Sequence, residues 1–259
     1  MIMAIHATAI VDEKAIVDDN AEIGPFCIIG PGAVISGGVK LHSNVVIEGR
    51  TEIGEGTEVY PFASIGLQPQ DLKYDGRETG LKIGRNNVIR EYATVHRASV
   101  GGDGTTEVGD NCFIMAYAHI AHDCKIGNGV IMANAATLAG HVTVGEKAVI
   151  GGLVAVHQFT RLGALTMIGG FSGIAQDIPP YMMAAGARAK LFGLNSVGLK
   201  RHGMSEDTIA ELKKAYKILF REKNTLKQAV KKVQEEVPYI DEIQHLIEFI
   251  NENKRGICR

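Results

Sequence analysis

Residues 126–151 read IGNGVIMANAATLAGHVTVGEKAVIG, with an aliphatic residue at every sixth place: Ile126, Met132, Leu138, Val144 and Ile150. The same beat runs back through Ile120, Ile114 and Val108, and on through Val156, Leu162, Ile168 and Ile174. An earlier run starts at Ile5 and continues through Ile23, Ile35, Ile47 and Val59 to Ile65, then resumes at Ile83, Ile89 and Val95. Four places after the aliphatic sits a small or β-branched residue, such as Ala33, Val45, Thr51, Ala118, Ala136 or Ala148. Gly often follows the aliphatic directly, as at Gly54, Gly84, Gly109, Gly127 and Gly145. Six residues suit one short strand and a turn, and a sustained hexapeptide period is the signature of a parallel β-helix. Three units close a triangular coil, and coils stack by strand pairing about 4.8 Å apart. The aliphatic residue is expected to point inward, with Gly at turns that need positive φ. Each coil touches only its neighbours, so the fold grows as a solenoid.

The expected fold class is therefore mainly β, a parallel β-helix over residues 1–183 followed by a helical domain over 184–259. Two excursions interrupt the beat, near 67–81 and 97–106. Loops that leave a solenoid on one face are often its binding elements. The beat stops at Pro179-Pro180, because proline cannot donate to a central ladder. Beyond it, Ser205 is a good N-cap for a helix reaching about Lys223, and Thr225 with Gln228 makes a capping box. A last helix is expected over about 240–254.

The chain has 259 residues, a formal net charge of −2 and 46% hydrophobic residues. That charge argues against general nucleic-acid binding. Cys27, Cys112 and Cys124 occupy the small-residue place of the hexad and read as reduced core residues, as in a cytoplasmic protein. The opening MIMAIHATAI lacks a signal-peptide pattern, and no stretch is long enough to span a membrane, so no stable membrane insertion is expected.

The chemistry-bearing residues gather by coil arithmetic. His119 and His122 flank the inward Ile120, which leaves His122 outside the prism. One coil of eighteen residues on from His122 lies Gly140, beside His141. Two coils on lies Gln158, beside His157. These residues should share one edge. A neutral imidazole there suits general-base work near neutral pH, with Asp123 fixing its tautomer. A backbone N–H near Gly140 could hold an oxyanion. Histidines in such a cluster could instead bind a metal.

The segments QDLKY (70–74), AHIAHDC (118–124), ATLAGHV (136–142), AVHQF (155–159), GGFSGIAQDIPPY (169–181) and GLKRHG (198–203) closely resemble the UDP-N-acetylglucosamine O-acyltransferase family of lipid A biosynthesis. The resemblance spans essentially the whole chain. It implies a left-handed coil and a homotrimer with sites between subunits. It also implies transfer of a (3-hydroxy)acyl chain from acyl carrier protein to the sugar 3-hydroxyl of UDP-N-acetylglucosamine. No cofactor and no metal are implied. His122 would be the base, Asp123 its orienting partner and Gly140 the oxyanion donor. Gln70, Asp71, Lys73, His119, His141, His157, Gln158, Asn195, Arg201 and His202 would bind substrate. Gly170 matches the place that limits acyl length, and glycine there implies a long chain. Where the family commonly has Lys-Arg-Arg-Gly, this chain has Lys200-Arg201-His202-Gly203, a weaker and pH-dependent donor at His202. Lys200, Arg201, Lys213, Lys214, Lys217 and Arg221 offer a landing surface for an acidic carrier. Two alternatives share the residues: a metal-dependent lyase like the gamma carbonic anhydrases, and N-acylation of a 3-amino sugar.

Overall fold

The computed structural model describes residues 5–259. Strands mostly of two residues recur along the chain and pair in parallel with the strand three places on, building three sheets. His119 pairs with Thr137, which pairs with Ala155, while Ile120 pairs with Leu138, which pairs with Val156. In each short strand the first residue faces out and the second faces in. From Ile23 onward the inward column is buried, with Ile65, Ile120, Leu138 and Ile150 among its members, while Val11 and Val17 in the first coil are partly buried. Ala63, Cys124, Ala136 and Ala148 fill the space beside it. All four cysteines are free and buried.

The glycine expectation needs correction. Gly54, Gly84, Gly109, Gly127 and Gly145 are absent from the positive-φ set, which among the described residues holds other turn glycines, such as Gly32, Gly38, Gly56 and Gly129, and also sixteen non-glycine residues, among them Asn86, Tyr92, Asp123 and His141. The glycines that follow the aliphatic serve close approach. A Cβ on Gly54 would lie 2.7 Å from the carbonyl carbon of Gly84, and one on Gly109 would lie 2.9 Å from that of Gly127. These glycines stack coil upon coil along one corner, where backbone touches backbone. The turn residues proper accept the left-handed conformation at a cost of about 1 kcal/mol or more each.

The three outer faces differ. One carries Glu52, Lys82, Glu107 and Lys125 in register. Here Lys125 reaches Glu107 at 2.7 Å and Lys82 reaches Glu52 at 3.8 Å. A second, the His119 face, carries Ile10, Ile28, Val46 and Ser64 in register, and further on Thr137 and Ala155, with no formal charge. The third carries Val88, Phe113, Ile131, Val149 and Met167 in its later coils. The corner between the second and third faces is aromatic. Phe62, Tyr92 and Tyr117 stack there with ring centroids 5.0 Å apart, and all three are exposed.

Two excursions leave the coil. The first leaves after Leu67 and returns at Gly80, and the second leaves after His96 and returns at Thr105. The expected boundary at 183 falls inside a strand. After the prolines, Met182–Ala185 rejoins the sheet beside Met167–Ile168 and then pairs antiparallel with Lys190–Leu194. Helices follow: α1 (Ser196–Arg201), α2 (Glu206–Phe220), α3 (Leu226–Glu236) and α4 (Asp241–Asn251). Ser205 caps α2, and the Thr225–Gln228 capping box opens α3. Arg161 pins α4 to the last coils. Its Nε donates to Asp177 at 2.9 Å, its Nη2 donates to the Phe249 carbonyl at 2.7 Å, and its guanidinium lies over the Phe249 ring. No helix among the described residues is long and apolar enough to cross a membrane.

Candidate active site

The site lies at the corner between the His119 face and the Lys125 face. The corner turns place one residue per coil in the left-handed region, and these are Asp123, His141 and Phe159. Their side chains stack as a column. His141 lies on Phe159 with centroids 4.6 Å apart, and His122 meets His141 edge-on at 5.2 Å.

His122 Nδ1 is 2.8 Å from Asp123 Oδ2. A carboxylate can only accept, so Nδ1 carries the proton and Nε2 keeps a free lone pair. Asp123 is nearly sealed from solvent and His122 is mostly covered. Two further groups hold Asp123. The Ser99 N–H donates to Oδ2 at 3.1 Å, and the Asp123 N–H donates to Thr106 Oγ1 at 2.8 Å. Gly140 packs directly against the imidazole. A Cβ there would fall 2.6 Å from His122 Nε2, so only glycine leaves the ring in place.

His119 is held from the next coil, its Nδ1 2.7 Å from Thr94 Oγ1. Burial and then the nearby His122 push its pKa down, which keeps the imidazole neutral. Behind it sits His96, edge-on at 5.0 Å and 5% exposed. Burial pushes His96 down to about 4. Sequence reasoning missed His96, although it sits immediately before the second excursion.

The first excursion arrives through Asp71. Its Oδ2 accepts the Ser99 hydroxyl at 2.6 Å and its Oδ1 accepts the Lys73 N–H at 3.0 Å. The Ser99 hydrogen bond, then the Lys73 one, holds this carboxyl below its ordinary range. Gln70 and Lys73 are exposed on the same loop. Tyr74 is gathered by Arg97, which also donates to the Gly66 carbonyl at 2.8 Å.

Other expected residues lie apart from the dyad. Gln158 continues the His122–Gly140 row and is exposed. His157 is turned toward the C-terminal segment, where Arg255 Nη2 lies 2.9 Å from its Nδ1. Arg255 carried no signal in the sequence. The Asn195 amide caps α1, accepting from Gly198 N–H at 3.1 Å and donating to the Leu165 carbonyl at 3.0 Å. Arg201 and His202 end that helix, on the side of Leu165 and not of His122. One chain therefore does not bring them to the dyad. Gly170 stands on the aromatic corner, where a Cβ would meet the Gly152 carbonyl at 3.2 Å. In the basic set, Lys200 pairs with Glu206, Lys214 donates to the Glu236 carbonyl, and Arg221 is drawn to the Leu191 carbonyl. Lys213 and Lys217 make no side-chain pair among the described residues.

Donor atoms of His122, Asp123 and His141 lie within 4.8 Å of one another, a spacing that could hold a metal ion. Asp123 Oδ2 accepts from His122 and from Ser99, while its buried Oδ1 has no partner among the described residues.

Two family models match the chain. One, Udp N-acetylglucosamine O-acyltransferase, domain 2, covers residues 177–258, and a bacterial transferase hexapeptide model of six repeats covers 105–140. The acyl-[acyl-carrier-protein]–UDP-N-acetylglucosamine O-acyltransferase of Thermodesulfovibrio yellowstonii is 65% identical over 98% of this chain and 99% of its own. The solved LpxA of Acinetobacter baumannii is 44% identical, with a TM-score of 0.96 over 99% of this chain and all of that one. The Arabidopsis UDP-N-acetylglucosamine acyltransferase is 35% identical, with a TM-score of 0.87 over 98% of this chain and all of that one. The coil is thus the left-handed β-helix of these relatives. The metal-dependent lyase alternative gains no support from them. With nearly two thirds of its residues shared along the full length of such a relative, the chain belongs to the UDP-N-acetylglucosamine O-acyltransferase family.

Proposed function

We propose that this chain transfers a (3-hydroxy)acyl group from acyl carrier protein to the 3-hydroxyl of UDP-N-acetylglucosamine, the first step of lipid A biosynthesis. The observation that carries the mechanism is the His122–Asp123 hydrogen bond, which leaves Nε2 free as a base. Nε2 takes the proton of the sugar hydroxyl as its oxygen attacks the thioester carbonyl. The tetrahedral oxyanion forms beside the Gly140 N–H. Its collapse expels the carrier thiolate, and the imidazolium returns the proton to that sulfur. Asp123 orients the ring and stabilises its cation, and no metal enters a step. A preorganised base of this kind is worth on the order of 10²–10⁴-fold in rate.

In this reading Asp71, Lys73, Gln70, His119, His141 and Gln158 receive the sugar and acyl ends. His157, Asn195, Arg201 and His202 belong to the nucleotide or donor side. Asn195 and the helix it caps are separated from His122 within one chain, which favours a site shared between subunits. The uncharged His119 face and the exposed aromatic corner support self-association as a homotrimer. Lys213, Lys217 and Arg201 remain available to an acidic carrier protein, working in the cytoplasm. Gly170 keeps the groove open to a long acyl chain.

Purified protein given UDP-N-acetylglucosamine and a panel of acyl carrier protein thioesters should yield an acylated nucleotide sugar, read by mass. His122→Ala should lose that product by the factor above while keeping its fold and assembly. Full activity in His122→Ala would remove the base from the mechanism.

A further inference from the structure

The two excursions are separate in sequence, yet one side chain joins them to the dyad. Ser99 is 2% exposed and uses both of its polar groups. Its N–H donates to Asp123 Oδ2, the same oxygen that receives His122 Nδ1–H. Its hydroxyl donates to Asp71 Oδ2, and Asp71 in turn holds the Lys73 N–H. The path from loop to base is therefore Lys73, Asp71, Ser99, Asp123, His122, with no contact in it longer than 3.1 Å. The second excursion is itself anchored. Lys125 reaches Asp103 at 2.8 Å, and its ammonium also donates to the Thr105 carbonyl at 3.0 Å. Ser99 is thus held in a fixed segment, while the Asp71 loop ends in exposed residues.

We propose that Ser99 is a positioning residue that ties the substrate-receiving loop to the catalytic dyad. The inference rests on the acyltransferase reading above. Its two tethers separate cleanly by substitution. Ser99→Ala removes the hydroxyl that holds Asp71 and leaves the N–H that holds Asp123. The base keeps its orientation, and the loop loses its anchor. A charge-assisted hydrogen bond to a carboxylate is among the stronger ones, so its loss should be measurable.

Ser99→Ala should raise KM for UDP-N-acetylglucosamine about tenfold and leave kcat within about twofold, with the pH profile of kcat unchanged. Ser99→Thr retains a hydroxyl and should restore KM to within about threefold of the parent. Asp71→Ala should raise KM similarly, and adding Ser99→Ala to it should change KM by less than about twofold, because the two groups act as one contact. Amide exchange at Lys73 should quicken by about tenfold in Ser99→Ala, while exchange at 119–126 holds steady. An unchanged KM, an effect additive with Asp71→Ala, or a fall in kcat with faster exchange across the whole corner would overturn the proposal. A parent enzyme that forms no product would overturn the acyltransferase reading alone, and the exchange result would still decide whether Ser99 tethers the loop.

Discussion

His96 shows how a buried side chain links the site to pH. It is 5% exposed, and its Nδ1 has no partner among the described residues. Burial, then the neighbouring His119, pushes its pKa down to about 4. In the unfolded chain the same imidazole takes up its proton near 6.5. Between those values the unfolded state binds more protons, so stability falls as pH falls through the window and levels off below it. The full loss is on the order of 3 kcal/mol from this residue, and His119 shifts in the same direction. Thermal midpoints measured from pH 7 to pH 4.5 should fall less steeply in His96→Asn than in the parent. Equal slopes would place the acid loss elsewhere. The residues of the dyad itself were legible, because coil arithmetic carries His122 to Gly140 and Gln158. Ser99 was not. It meets Asp71 and Asp123 across intervals set by two loops that do not keep the hexad, and nothing in a serine's immediate surroundings marks it.

At the scale of the element, the hexad beat predicts each inward position, because a period of six admits only one burial pattern. It misassigns the glycines, because a sequence shows that a side chain is missing and not why. Gly54 tests the corrected reason. A Cβ there would lie 2.7 Å from the carbonyl carbon and oxygen of Gly84, backbone atoms that cannot rotate away. Gly54→Ala should cost about 1–3 kcal/mol by forced separation of the coils, read as a lower midpoint in denaturant. A midpoint within error of the parent would show that the corner has room. Helices α2 and α3 were legible from their caps, Ser205 and the Thr225–Gln228 box, which satisfy first-turn N–H groups through local residues. The hairpin of Met182–Ala185 and Lys190–Leu194 was not. Pro179-Pro180 marks a true break in the beat. Gly186, at φ +112°, follows the strand that has already rejoined the sheet and lies in the turn between the two hairpin strands.

At the scale of the molecule, the three outer faces forecast how copies meet. A face with in-register pairs such as Lys125–Glu107 and Lys82–Glu52 is built for water. The His119 face is different, with Ile10 and Ile28 exposed at 66% and 43% and no formally charged residue opposing them on that row. Its border is the stacked Phe62, Tyr92 and Tyr117 corner. Exposed apolar rows of this extent on a sheet invite association, and a closed ring of three would bury every copy of the face equivalently. Ile28→Glu with Val46→Glu places two carboxylates on this row at adjacent register positions. In a trimer they would bring six like charges together in a low-dielectric seam, a cost of several kcal/mol. Light scattering after gel filtration should report the proposed trimer for the parent and a monomer for this variant. The same change at Val34, on the charged face beside Glu52, should leave assembly intact. Activity should fall with assembly in the proposed shared site, because Asn195 caps α1 against the Leu165 carbonyl and lies apart from His122 within one chain. A variant that stays trimeric would move the interface to the Phe113 face, and a monomer with full activity would confine the site to one chain.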